Sequence, residues 1–148
     1  MTGLLRDEAG SMVIESAFVI PILVILSLGG FEASRIVSRN TELQSAVAEA
    51  GAVVLAAAPD TADKRATVKS IIAASTGLAS TPDKVTLTVK FRCNDDTALK
   101  DSATECGTGV VVSEYVRINI TDSYTPMWTQ FGLGSTINYS VSRMVQIA

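Results

Sequence analysis

The sequence predicts an α+β fold: a long N-terminal helix, a second short helix, and then a three-stranded antiparallel sheet. Three observations carry this. An apolar run near the N-terminus passes without a stop into a stretch with three- and four-residue apolar spacing. Pro59 ends that pattern, because proline disfavours helix in the residue before it. From Lys84 onward the apolar period changes to two, in three separate stretches. With 148 residues, the chain has the size of one ordinary domain.

The first element carries sixteen uncharged residues between Glu15 and Glu32, SAFVIPILVILSLGGF. As a helix they rise about 24 Å, short of the roughly 30 Å hydrocarbon layer of a bilayer. If Glu15 is admitted, Ser11 to Phe31 gives twenty-one residues and about 31 Å, a full span. A cleaved secretory signal fits less well, since Arg6 is followed by Asp7 and Glu8 in a poor positive leader. A buried core helix of this apolarity needs a larger protein around it. The expectation is a membrane-inserted helix. Beyond it, Ile36, Leu43, Val47, Ala50 and Val54 form one apolar face, with Arg35, Arg39, Glu42 and Glu49 on the wetter side. This predicts a single helix from about Asp7 to Ala58, half membrane-embedded and half amphipathic.

Asp60 or Thr61 can cap the second helix, ADKRATVKSIIAASTG, which stops around Gly77. Its expected apolar positions are Ala66, Ile71, Ile72 and Leu78. The first strand alternates Val85, Leu87, Val89 and Phe91 with polar residues. The second runs from about Val111 to Asp122, with Val112, Val116, Ile118 and Ile120 inward. The third, Thr136 to Ile147, turns Ile137, Tyr139, Val141 and Val145 inward. Such a sheet would rest on the amphipathic half of the first helix.

Composition narrows the function. Hydrophobic residues make up 47 % and charged residues 18 %, against roughly 25 % charged in an average soluble chain, which excludes disorder. The net charge of −3 comes with no basic stripe, so no nucleic acid is expected as a partner. Histidine is absent, which removes every mechanism using it as base, ligand or pH switch. No nucleophile elbow, P-loop or dinucleotide fingerprint occurs, so neither an enzyme nor a cofactor is expected.

Cys93 and Cys106 are the only cysteines, with twelve residues between them. They supply too few ligands for a structural zinc site, and their spacing is not that of a redox motif. A disulfide closing the loop after the first strand is the better reading, and it favours a head outside the cytoplasm. Within that loop Asp95, Asp96, Asp101 and Glu105 lack the spacing of a calcium loop and read as a solvated acidic segment, so no metal is expected. The connection from Ser123 to Ser135 carries Tyr124, Met127, Trp128, Phe131 and Leu133. These side chains either fold back as a lid on the core or form a contact surface for a neighbouring subunit.

The segment R-D-E-A-G-S-M-V-I-E-S-A-F-V-I-P-I-L resembles the start of TadE-like proteins of the bacterial tight-adherence pilus system. It has a short polar leader ending in Gly10, Glu15 five residues on, and an apolar run containing Pro21. The resemblance implies a pilin-like fold and cleavage by a prepilin peptidase between Gly10 and Ser11, which places Glu15 fifth in the mature chain. It implies assembly through the first helix, with Glu15 and Pro21 as the residues concerned. Where the family tends to place an aromatic after the glutamate, this chain has Ser16, which fits a minor pilin better than the major one. The implied layout is a leader over 1–10, a transmembrane part over 11–31 and an extracytoplasmic head over 32–148. The implied partners are major and minor pilins, the inner-membrane assembly machinery, the peptidase and the membrane itself. The implied location is the inner membrane with a periplasmic head, then the pilus on the cell surface. A different class of protein also fits: an unprocessed single-pass membrane protein whose head binds a ligand or envelope component.

Overall fold

The computed structural model describes residues 8–94 and 96–148. Its elements follow the expected order: helix α1 (Glu8–Ala57), helix α2 (Ala62–Ser75), and strands β1 (Val85–Cys93), β2 (Val112–Tyr124) and β3 (Ile137–Gln146). The chain divides into two units between Val37 and Ser38. The first is the N-terminal part of α1. The second is the head, which holds the rest of α1 and everything after it. Asp7, expected as the start of the helix, lies outside the described residues.

The head sheet is antiparallel in the order β1-β2-β3. Its register pairs Val85 with Ile120, Ile120 with Val141, and Val116 with Val145. Because side chains alternate across a strand, one face collects Val85, Val116, Ile118, Ile120, Tyr139 and Val145, all buried. On α1 the matching set is Leu43, Val47, Ala50 and Val54, also buried, at the spacing that aligns one helix face. Gly51 marks a close approach between helix and sheet. A Cβ there would stand 3.2 Å from Cδ and Nε of Arg143 and 3.5 Å from Val145 Cγ2.

Helix α1 ends as proline chemistry dictates. Ala58 turns to φ 37°, its N–H donates to the Val54 carbonyl at 2.9 Å, and Pro59 is fully buried. Arg65 then reaches back to the Pro59 and Asp60 carbonyls at 3.3 and 2.8 Å. Thr61 caps α2, its hydroxyl accepting from the Lys64 N–H at 3.4 Å. At the other end Gly77 takes the left-handed conformation at φ 71°, and the Leu78 N–H bonds to the Ala73 carbonyl at 2.8 Å.

Two expected faces need correction. On α2 the buried residues are Val68, Ile72 and Ala73, with Leu78 just beyond, whereas Ala66 is exposed and Ile71 is 48 % exposed. Only the Val68 side of the helix is covered, and α2 packs on β1 at the edge of the sheet. On β2, Val112 is 36 % exposed. It pairs with Cys93 at the far end of the strand, several residues beyond the buried stretch that begins at Val116.

The fully buried Leu43 and the exposed Ile71 separate packing from mere hydrophobicity. Leu43→Ala should destabilise the head by about 2–5 kcal/mol. Ile71→Ala should stay within about 1 kcal/mol, as exposed positions do. Urea unfolding of the detergent-extracted protein, followed by circular dichroism, measures both. Equal losses would show that α2 packs through the face the sequence pattern suggests.

Candidate functional site

The N-terminal unit displays its chemistry outward. From Val13 to Phe31 the apolar side chains are exposed, among them Val13, Ile14, Phe18, Ile20, Ile22, Leu23, Ile25, Leu26 and Phe31. An 18-residue window of this helix has a mean hydropathy of 2.2, and none of it is buried. Water penalises such a surface, and apart from the bond missing at Pro21 a helix satisfies its own backbone polar groups, which is what a lipid environment requires. Pro21 sits inside the helix, where it removes one backbone donor without ending the element. Glu15 is exposed on the same segment. Gly10 and Ser11 are helical, but their side chains lie outside the described residues. Near the end of the run, the Arg35 guanidinium lies 5.7 Å from the centre of the Phe31 ring, a cation–aromatic pair. Glu32, which closes the run in sequence, is buried.

In the head, Cys93 and Cys106 are bonded, with their Cα atoms 5.2 Å apart. The bond ties the end of β1 to a 3-10 turn over Ala103–Cys106, where the Ser102 hydroxyl accepts from the Thr104 N–H at 3.3 Å. Lys100 exchanges backbone hydrogen bonds with Phe91 at 2.7 and 2.9 Å, so the excursion is laced to β1 at two levels. Lys90 pairs with Asp101. Asn94 takes φ 49°, which Asn tolerates better than most residues, and its side chain accepts from the Val111 N–H at 3.0 Å. An open polar cleft of about 530 Å³ lies against the bond, lined by Asn94, Asp96, Lys100 and Glu105 among others. Among the described residues no group of acidic or cysteine side chains is arranged to hold a metal ion; Asp95 lies outside them.

A charged node in the head joins residues 83 apart in sequence, which spacing alone does not reveal. Asp122 on β2 accepts from Arg39 Nε and Nη2 at 2.8 and 2.7 Å and from Lys84 Nζ at 2.6 Å. Arg39 also pairs with Glu42 at 2.9 Å. Arg39, expected on the wet side of α1, is therefore half-buried and spent on a partner from the sheet. Burial alone would raise the Asp122 carboxyl, but the hydrogen bonds from Lys84 and Arg39 outweigh it and hold its pKa below the ordinary carboxylate value.

Residues 10–52 match the family of TadE-like proteins. The match covers the apolar part of α1 and the first turns of its buried face, so the TadE-like segment is a membrane-type helix joined to the root of the head. The family is associated with the tight-adherence pilus and is not known as an enzyme family. No curated protein and no solved structure matches the chain. The candidate cleavage residues Gly10 and Ser11, and Glu15 and Pro21, fall within the TadE-like segment. Cys93, Cys106 and the aromatic connection lie outside it.

That connection is a built loop with its large apolar groups turned out. Met127–Phe131 form a 3-10 turn that Gly132 closes in the left-handed conformation. Met127 and Leu133 are exposed, and Phe131 is 78 % exposed. Tyr124 and Trp128 are half-buried. Pro126 is the residue that fills the core. A lid on the core would hide Met127, Phe131 and Leu133, so the lid reading does not describe these three.

Two outcomes follow in the head. With its native pKa lowered, Asp122 contributes stability that is fully present above the unfolded carboxylate value, about 3.9. That contribution is lost as pH falls below this value toward the lower native one. Asp122→Asn should cost about 1–3 kcal/mol at neutral pH, since charge-assisted bonds to two cations are weakened. It should also flatten the acid limb of a melting-temperature-against-pH curve. An unchanged limb would move the acid sensitivity elsewhere. Reduction of the Cys93–Cys106 bond should lower head stability by roughly 3 kcal/mol, the loop-closure value for this ring size. Two alkylatable thiols in the folded, unreduced native protein would remove the bond.

Proposed function

We propose that this protein is a structural subunit, a minor pilin or pseudopilin, of a bacterial tight-adherence pilus. One observation carries the reading: the TadE-like match falls on a helix that exposes an unbroken apolar surface from Val13 to Phe31. In this reading a prepilin peptidase removes residues 1–10 on the cytoplasmic face. Residues 11–31 hold the protein in the inner membrane, and residues 32–148 form a head in the periplasm. The helix then passes into the fibre among major and minor pilins, at the tip or in the initiation complex, and carries the head to the cell surface in a role of adhesion or surface contact.

Glu15 has a defined part in it. A charged carboxylate near the bilayer centre costs about 2.5–3.5 kcal/mol on insertion scales, so an acid in a span needs a partner. Cleavage frees the Ser11 amine, and pairing of that amine with Glu15 of the adjacent subunit would set axial register, because a misplaced neighbour leaves both charges unpaired. Pro21 withholds one backbone donor in the same stretch, which leaves a carbonyl for a neighbouring helix to approach.

The second reading, an unprocessed anchored binding protein, rests on the polar cleft beside the disulfide. The mature N-terminus separates the two. Mass spectrometry of the native protein should find Ser11 at the N-terminus, and Gly10→Leu should leave the longer chain in the membrane and stop assembly. An uncleaved native chain in piliated cells overturns the pilin reading in favour of the anchored protein. Glu15→Ala should insert at least as well as the wild type yet fail to crosslink with other pilus subunits. Wild-type crosslinking by that variant would reduce Glu15 to a marker of the membrane boundary.

A further inference from the structure

The head carries a second apolar surface, at Met127, Phe131 and Leu133 in the connection between β2 and β3. Within the head, Arg39 of α1 is bonded to Asp122, while Gly51 approaches Arg143 and Val145, which pair with Ile118 and Val116. Strand β2 therefore runs antiparallel to this part of α1. Past Asp122 it continues toward the end from which the chain enters the head. The connection to β3 turns at that end. In sequence the apolar run stops at Phe31, eight residues before Arg39, which is about 12 Å of helix. The headgroup layer beyond the hydrocarbon is itself roughly 5–8 Å deep on each side.

The loop's chemistry suits that depth. From Ser123 to Ser142 the sequence carries no charge, so nothing in it resists entry into an interface. It is also fixed in shape. The Thr129 hydroxyl and N–H both donate to the Pro126 carbonyl, at 2.7 and 3.1 Å. The Leu133 N–H donates to the Trp128 carbonyl at 3.2 Å. The indole of Trp128 lies where a Cβ on Gly134 would be 3.2 Å from Nε1. A rigid turn loses little conformational entropy on docking, and Trp with neighbouring apolar groups is the composition found at membrane interfaces.

We propose that the loop carrying Met127, Trp128, Phe131 and Leu133 docks into the lipid interface beside the protein's own membrane span, giving the head a second hold on the bilayer. The inference rests on membrane anchoring and not on pilus assembly. It assigns the exposed loop to lipid rather than to a neighbouring subunit.

Trp128 is the only tryptophan, so the full-length protein reports on its own loop. In vesicles of phosphatidylcholine brominated near the headgroup end of the acyl chains, Trp128 emission should be strongly quenched relative to unbrominated vesicles. The double variant Phe131→Ser, Leu133→Ser changes only exposed side chains. It should float with vesicles as the wild type does and keep its disulfide and melting temperature, yet lose most of that quenching. Three results overturn the inference: no quenching in the wild type, equal quenching in the variant, or quenching that needs crowded protein and comes with crosslinks between loops of neighbouring copies. The last would return the loop to a subunit surface. A wild-type protein that does not float with vesicles overturns the anchoring, and the inference with it.

Discussion

A helix can carry an exposed apolar surface in one stretch and a buried apolar face in the next only if the two stretches have different surroundings. That constraint governs this protein. From Val13 to Phe31 the apolar side chains of α1 lie on all sides and are exposed. From Leu43 to Val54 they narrow to one face, and every member of that face is buried. The change from all-round to one-sided apolarity is the point at which lipid stops being the natural solvent and protein takes over. The head exists to cover that face. Three strands form the sheet that does so, and β2, the central one, contributes three fully buried residues, Val116, Ile118 and Ile120.

Hydrophobic contact alone would not fix where the sheet sits along the helix, since the attraction is non-directional. The polar contacts supply the position. Asp122 takes charge-assisted bonds from Arg39 and Lys84, so one carboxylate ties together α1, the turn before β1, and β2. Sliding the helix by a turn would leave Asp122 and Arg39 half-buried without each other, a costly state in a partly dry site. About three turns on, Gly51 lets the helix lie close to Arg143 and Val145. A charged node at one end and a close approach at the other define the helix-to-sheet register. Both lie in the head, beyond the unit boundary at Ser38.

The elements were legible because their periods are. The buried face of α1 from Leu43 to Val54, its end at Pro59, and the buried strand residues Val85, Val116, Ile118, Ile120, Tyr139 and Val145 follow from spacing. Amphipathic pattern failed where tertiary cover is partial. Nothing in the spacing of α2 says that β1 covers only the Val68 side, so Ile71 read as core and is exposed. Val112 has the parity of a buried residue but sits past the covered part of the sheet. Arg39 could not be recognised as the partner of Asp122, since the two are 83 residues apart and each looks like an ordinary surface charge. The hydrophobicity of the Met127–Leu133 turn was legible. Its outward aim was not, because that depends on Pro126 filling the core in place of the larger side chains.

In the pilin reading, the membrane-type helix must leave lipid and enter a fibre. Apolar side chains gain little from that exchange, because hydrocarbon and a neighbouring helix are nearly equivalent surroundings for them. The free energy that selects the fibre must therefore come from packing shape and from polar groups that lipid cannot satisfy. In the sequence from Ser11 to Phe31 the only charged side chain is Glu15, and it is exposed. Arg39, on the part of α1 beyond the span, is already committed to Asp122 and Glu42. The acid in the span is thus the group with most to gain from a new neighbour. The node in the head, satisfied from within, keeps the fold intact while the helix changes surroundings.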